Sequence, residues 1–219
     1  MYLSRVEIDI NDRRRMRDLK HLGCYHGWIE DSFPEERDKE KNDNTRKLWR
    51  IDNLNDRYYL IVLSKTKPDL EKLEKYGVKN SASTKDYDDF LNSLTEGMQA
   101  NFRIKLNTVR SRSDRKKYPK RGHLELVPLN ELNSFFLDRT DKNGFSVKSD
   151  EFWIVNRNKE AFKRYDQDEY KKVNQYLVSA TYEGILTITD LEKFKQALQS
   201  GIGKKKAYGF GFLTIIPIK

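Results

Sequence analysis

The sequence predicts an α+β protein made of two ferredoxin-like (RRM-like, βαββαβ) domains in tandem. Three observations carry this expectation. Segments that alternate apolar and polar residues are interleaved with segments of helical period. Their order reads β-α-β-β-α-β, the split βαβ motif. The pattern then returns after a basic, aperiodic stretch near the middle of the 219 residues. A chain of this length has room for two domains of about a hundred residues, each able to bury a core.

The elements follow in order. "MYLSRVEIDI" sets Tyr2, Ser4, Val6, Ile8 and Ile10 against Leu3, Arg5, Glu7 and Asp9, a first strand. In "HLGCYHGWIEDSFP", Leu22, Tyr25, Ile29 and Phe33 fall at helical spacing and Pro34 ends the run. Gly23 and Gly27 weaken that helix by about 1 kcal/mol each. "EERDKEKNDNTRK" has mixed charge without apolar period and reads as a solvated loop. "KLWRID" and "YYLIVLS" flank "NLNDR", a hairpin whose turn carries Asn and Asp. "KDYDDFLNSL" places Tyr87, Phe90, Leu91 and Leu94 on one helical face, and "QANFRIKLNTV" reads as the fourth strand of an N-terminal domain over residues 1–110. Residues 111–122, within "RSRSDRKKYPKRG", read as a basic linker.

The second domain, residues 123–219, repeats the pattern. "GHLELVPL" is a strand, "LNELNSFFLDRT" a helix with Leu132, Phe135 and Phe136 inward, and "DEFWIVNRN" a strand. "NQYLVSATYEGILTI" alternates through Tyr176, Val178, Ala180 and Tyr182. "TDLEKFKQALQSG" is a helix with Asp190 near its N-cap and Gly201 past its end. "YGFGFLTIIPI" reads as the closing strand, with Tyr208, Phe210 and Phe212 on one face.

Composition then narrows the function. Hydrophobic residues make up 37% and charged residues 35%, with 12% aromatics, which indicates a folded protein with a heavily charged surface. No stretch reaches the length of a membrane span and no apolar signal core opens the chain, so a soluble, cytoplasmic protein without a membrane partner is expected. The single Cys24 allows no internal disulfide. A net charge of +9 favours a polyanionic partner, and nucleic acid fits better than a membrane surface because no broad amphipathic basic helix stands out.

Motifs remove most other chemistries. There is no phosphate-binding G-x-x-x-x-G-K-[ST], and "GIGKKKAYGFG" lacks the third glycine of a dinucleotide fingerprint. The three histidines form no H-E-x-x-H and the carboxylates form no metal-ligand pattern, so neither metal nor cofactor is expected. Histidine remains as the side chain that both takes and gives a proton near neutral pH. RNA offers it a metal-free reaction, attack of a 2′-hydroxyl on its own neighbouring phosphate. His26 lies beside the apolar stripe of its helix, a position from which it faces a groove together with its i+4 neighbour Glu30. His21 falls in the preceding loop or faces solvent, and His123 opens a strand. In "GIGKKKAYGFGFL", Gly201, Gly203 and Gly209 permit close approach of a phosphate while Lys204, Lys205 and Lys206 supply positive charge. Arg110, Arg112, Arg115, Lys116, Lys117, Lys120 and Arg121 form a second basic patch for an RNA backbone.

Taken together these residues resemble the CasE family of CRISPR RNA-processing endoribonucleases, the type I-E enzymes of two ferredoxin-like domains. "MYLSRVEI" resembles the family's opening strand, His26 followed by "FP" its catalytic-helix segment, and "LWRI" (Leu48 to Ile51) its next strand. "YEGILTITDLEKFKQALQSGIGKKKAYGFGFLTI" is similar to its strand, helix, G-I-G-x-x-K-x-x-G-x-G-L-L loop and last strand, matching at Gly184, Gly201, Ile202, Gly203, Lys206, Gly209 and Gly211. The resemblance implies cleavage of the CRISPR repeat transcript at the base of its stem-loop, leaving 5′-hydroxyl and 2′,3′-cyclic phosphate ends without metal. It also implies retention of the product with the other subunits of a type I-E Cascade surveillance complex. His26 takes the catalytic histidine's position. Where some members carry a tyrosine three residues earlier, this chain has Gly23. Tyr25, Lys20, Arg17 and the glycine-loop lysines are then the candidates for the second proton, for stabilising the phosphorane and for contact with the RNA. The competing reading is a non-catalytic RNA-binding ribonucleoprotein subunit with RRM-like domains, whose signature "KAYGFGFLTI" matches only loosely.

Overall fold

Alternation in the opening segment produces strand β1 (Tyr2–Glu7), whose Ser4 and Val6 are fully buried. The computed structural model describes residues 1–36, 46–112, 123–166 and 171–218. After a single turn, α1 (Arg13–Met16), comes helix α2 (Leu22–Asp31). Its core-facing residues are Leu22, Trp28 and Ile29, with Phe33 just beyond its end. Strands β2 (Leu48–Leu54) and β3 (Arg57–Ser64) form the expected hairpin. Asn55 and Asp56 both turn left-handed, with φ of 52° and 63°, the geometry that joins twisted strands across two residues. Helix α3 (Leu70–Leu73) leads to β4 (Ser83–Asp86), which pairs with the free side of β1. The first sheet has the antiparallel order β2-β3-β1-β4.

The strand read from "QANFRIKLNTV" does not complete this sheet. After α4 (Asp88–Asn92), β5 (Gln99–Asn107) pairs with Ser179–Thr187 on one side and Thr214–Pro217 on the other, and its buried Ala100, Phe102, Ile104 and Leu106 build the second core. The fourth place in the first sheet goes to the polar "STKD" of β4, which has no apolar alternation to reveal it. The sheets therefore change over between Asp86 and Gln99, earlier than residues 111–122 where the sequence places the break. β6 (Val109–Arg112) and β7 (His123–Leu126) pair only with each other, so "GHLELVPL" also stands outside the main sheet.

The second unit continues with α5 (Leu132–Leu137), which buries Leu132, Phe135 and Phe136 as its spacing predicts. Then come β8 (Phe145–Ser146), the long hairpin β9 (Phe152–Asp166) and β10 (Lys171–Ile188), α6 (Leu191–Ser200) and β11 (Thr214–Pro217). The sheet order is β11-β5-β10-β8, with β9 also on β10. Asp190 caps α6 by accepting from the Lys193 amide at 3.1 Å. The last strand is shorter than expected: Phe210 and Phe212 are buried ahead of it, and Tyr208 sits in a single 3₁₀ turn.

One buried side chain ties the two sheets together. Arg50 of β2 is held by both oxygens of Asp52 at 2.7 Å, and donates to the carbonyls of Arg103 (3.0 Å) and Phe212 (2.9 Å) and to the Thr214 hydroxyl (2.8 Å). A planar guanidinium meets all these acceptors at once, which an ammonium group does not. The consequence is a fixed distance between β2 and the glycine-rich segment before β11.

Candidate active site

Helix α2 and the glycine-rich loop meet over β2, and the contact is built from Trp49. Its indole donates to the Ala207 carbonyl at 3.0 Å, while its ring lies so close to Gly209 that a Cβ there would approach within 2.9 Å. Gly201 and Gly211 have the same kind of reason: each has positive φ, and an added Cβ would meet Leu48 at 2.8 Å or the Ile202 carbonyl at 2.1 Å. Gly201 and Gly209 are thus buried against the protein itself. Gly203 alone of the predicted phosphate-cradling three is exposed.

His26 projects from α2 toward this loop. Its ring meets the Tyr208 ring edge-on at 5.6 Å, and its Nδ1 stands 3.8 Å from Glu30 Oε1. Glu30 is not free to swing, because Lys47 Nζ holds its other oxygen at 2.9 Å and Glu36 at 2.8 Å. Lys47 and Glu36 are 4% and 3% exposed, and the Thr66 hydroxyl donates to Glu36. The charged stretch expected as a solvated loop therefore has two buried charges, Glu36 and Lys47, which compensate each other.

The three loop lysines separate into distinct roles. Lys206 is half-buried and donates to the Ser200 carbonyl at 2.8 Å, capping the C-terminal end of α6, and burial with the nearby Arg46 lowers its pKa. Lys204 is exposed. Lys205 takes left-handed backbone angles, φ 60° and ψ 33°, at a cost of about 1–2 kcal/mol for a residue with a Cβ. Its ammonium stands 6.0 Å from the Tyr208 ring centre and 5.9 Å from that of Phe162 on β9.

The other predicted residues are placed differently. Tyr25 turns onto Trp49, with ring centres 6.0 Å apart, and makes no ring contact with His26 among the described residues. Burial raises its pKa, with Cys24 adding to the effect. Arg17 and Lys20 are exposed ahead of α2 and make no ion pair among the described residues. His21 occupies the N-cap position of α2 without a side-chain capping bond, its ring nitrogens lying 3.5 and 3.7 Å from Cys24 Sγ. Arg110 is committed to Glu131 and, at 3.6 Å, to Glu125, so its charge is already answered within the protein. Arg115, Lys116, Lys117, Lys120, Arg121 and the side chain of Arg112 lie outside the described residues. Tyr208 and Lys47 are the additions: alternation put the first on a strand, and a run of charges hid the second. Among the described residues no three His, Cys, Asp or Glu side chains gather to hold a metal ion, and no helix is long and apolar enough to cross a membrane.

Comparison with known proteins agrees with this architecture. A CRISPR endoribonuclease Cse3 bound to a 19-nucleotide RNA superimposes with a TM-score of 0.79 at 20% identity, over 99% of this chain and 100% of its own. Thermus thermophilus Cse3, bound to an RNA representing a pre-cleavage complex, gives 0.73 at 20% identity over 99% and 98%. A chain of a CRISPR RNA-guided surveillance complex in a pre-nicking state gives 0.67 at 19% identity over the full length of both. At such identities the likeness establishes the fold, two ferredoxin-like units in tandem. No curated protein matches the sequence significantly. The family model described as CRISPR associated protein matches residues 1–217, nearly the entire chain, and by that match the protein belongs to this family.

Proposed function

We propose that the protein is a metal-independent endoribonuclease of the cytoplasm that cuts CRISPR repeat precursor RNA at the base of its stem-loop. The observation that carries this is a half-exposed His26 with the Glu30 carboxylate 3.8 Å from its Nδ1 and a cationic loop facing it. With Nδ1 turned to Glu30, Nε2 is the nitrogen left to take a proton from a substrate. Removal of the 2′-hydroxyl proton lets that oxygen attack the adjacent phosphorus; the bond to the 5′-oxygen breaks, leaving a 2′,3′-cyclic phosphate and a 5′-hydroxyl. Lys205, with its ammonium 6.0 Å from the Tyr208 ring centre, is the group assigned in this reading to offset the charge that builds on the phosphorane. Lys204, Gly203, Arg17, Lys20 and the basic residues of 112–121 supply contacts to the RNA backbone.

The family membership and the RNA-bound relatives support the substrate assignment, and the surveillance-complex relative supports retention of the cleaved RNA in a type I-E complex. Retention also has a physical basis. A cut at the base of a hairpin leaves the stem on the bound product, so its affinity stays within about tenfold of the substrate's, roughly 1.4 kcal/mol.

The test is incubation of the protein with end-labelled repeat RNA in excess chelator. One cut at the stem base with a 5′-hydroxyl end is expected. Bound but intact RNA would favour the non-catalytic ribonucleoprotein reading, and cleavage only with added magnesium would replace the mechanism.

A further inference from the structure

The reaction just described moves two protons, and His26 accounts for one. We propose that Tyr208 is the second catalytic residue, giving its phenolic proton to the departing 5′-oxygen; this rests on the endoribonuclease reading. Three observations point to it. Its ring is the one aromatic partner of His26 among the described residues, at 5.6 Å. Its hydroxyl has no hydrogen-bond partner among the described residues, although the ring is half-buried and fixed edge-on to Phe162 at 4.4 Å. A phenol whose ring is fixed while its hydroxyl bonds to no described protein group is available to a substrate. The third is Lys205, whose strained backbone carries its ammonium to the same ring. Such strain in a non-glycine residue persists where the surroundings enforce it, and here it sets a positive charge beside the group that must become anionic.

The step balances. The 2′-hydroxyl proton passes to His26 as the new O2′–P bond forms, and the Tyr208 proton passes to the 5′-oxygen as the P–O5′ bond breaks. That leaves an imidazolium facing a phenolate, and one proton transfer between them restores both groups. Glu30 and Lys47 lie on the other side of His26, and Lys205 with the half-buried Lys206 lies on the loop side. Tyr25 cannot substitute in this scheme, because its ring is committed to Trp49 and burial opposes its ionisation.

Tyr208→Phe keeps the ring and removes only the hydroxyl. Single-turnover cleavage of repeat RNA by this variant should fall about 10²- to 10⁴-fold, with RNA binding within about threefold of the wild type. The decisive arm uses a substrate in which sulfur replaces the scissile 5′-oxygen. Sulfur departs as a thiolate without a proton, so the Tyr208→Phe defect should disappear on it while a His26→Ala defect persists. Tyr25→Phe should cleave both substrates at the wild-type rate. If Tyr208→Phe cleaves the normal substrate like the wild type, or stays equally slow on the sulfur substrate, or if Tyr25→Phe shows the rescued defect instead, the assignment is wrong. If the unaltered protein cuts neither RNA, the endoribonuclease reading fails and this inference with it.

Discussion

Replacement of His26 by alanine is expected to slow single-turnover cleavage of repeat RNA by about 10²- to 10⁴-fold while leaving RNA affinity within about threefold. The side chain is half-exposed and its contacts are few: an edge-on ring, Tyr208, and one carboxylate oxygen 3.8 Å away. Its loss removes a proton acceptor from the reaction and little from the fold. Thermal denaturation should show a stable variant, and filter binding should show an almost unchanged complex. Cleavage at the wild-type rate would exclude His26 from the chemistry.

Lys47→Ala is expected to have the largest effect on stability, about 3–5 kcal/mol, because it removes the buried ammonium 2.8 Å from the buried Glu36 carboxylate. The Glu30 pairing contributes less, since that carboxylate is 41% exposed. Urea unfolding of the single variant and of Lys47→Met/Glu36→Gln tests this: the double variant should recover most of the loss, because a neutral amide and a thioether no longer strand a charge. A single variant that unfolds within about 0.5 kcal/mol of the wild type would show that the pair is not what holds this end of α2. The same substitution frees Glu30 to move, so its cleavage rate should also fall below that of the wild type.

Legibility in the sequence followed the strength of local pattern. β1, the β2–β3 hairpin, α2, α5 and α6 were readable because of their apolar period, joined by the Asp190 cap at α6 and by Asn55 and Asp56, which adopt the turn that their types favour. The division between the two sheets was not readable. β4 is four polar residues held at a sheet edge by backbone pairing, whereas the strongly alternating β5 looks equally suited to either sheet. His26 and Glu30 stood out as an i, i+4 pair, but the groups that define their surroundings come from far away in the chain. Lys47 looked solvated because a run of charges has no period to mark its two buried ends. Tyr208 looked like a strand residue because alternation in "YGFGF" is produced by glycines with positive φ rather than by a pleat. The glycines read from sequence as sites where a phosphate approaches the backbone; in the structure Trp49 and Leu48 lie against Gly209 and Gly201.

In the proposed reaction the RNA's own 2′-hydroxyl is the nucleophile, activated by His26. The measurement is single-turnover cleavage, in excess chelator, of a repeat RNA carrying one 2′-deoxy substitution at the nucleotide 5′ to the scissile phosphate. That RNA should bind like the all-ribose substrate and remain uncut, while the all-ribose RNA yields a product whose mass matches a 2′,3′-cyclic phosphate. Cleavage of the 2′-deoxy RNA would contradict the account.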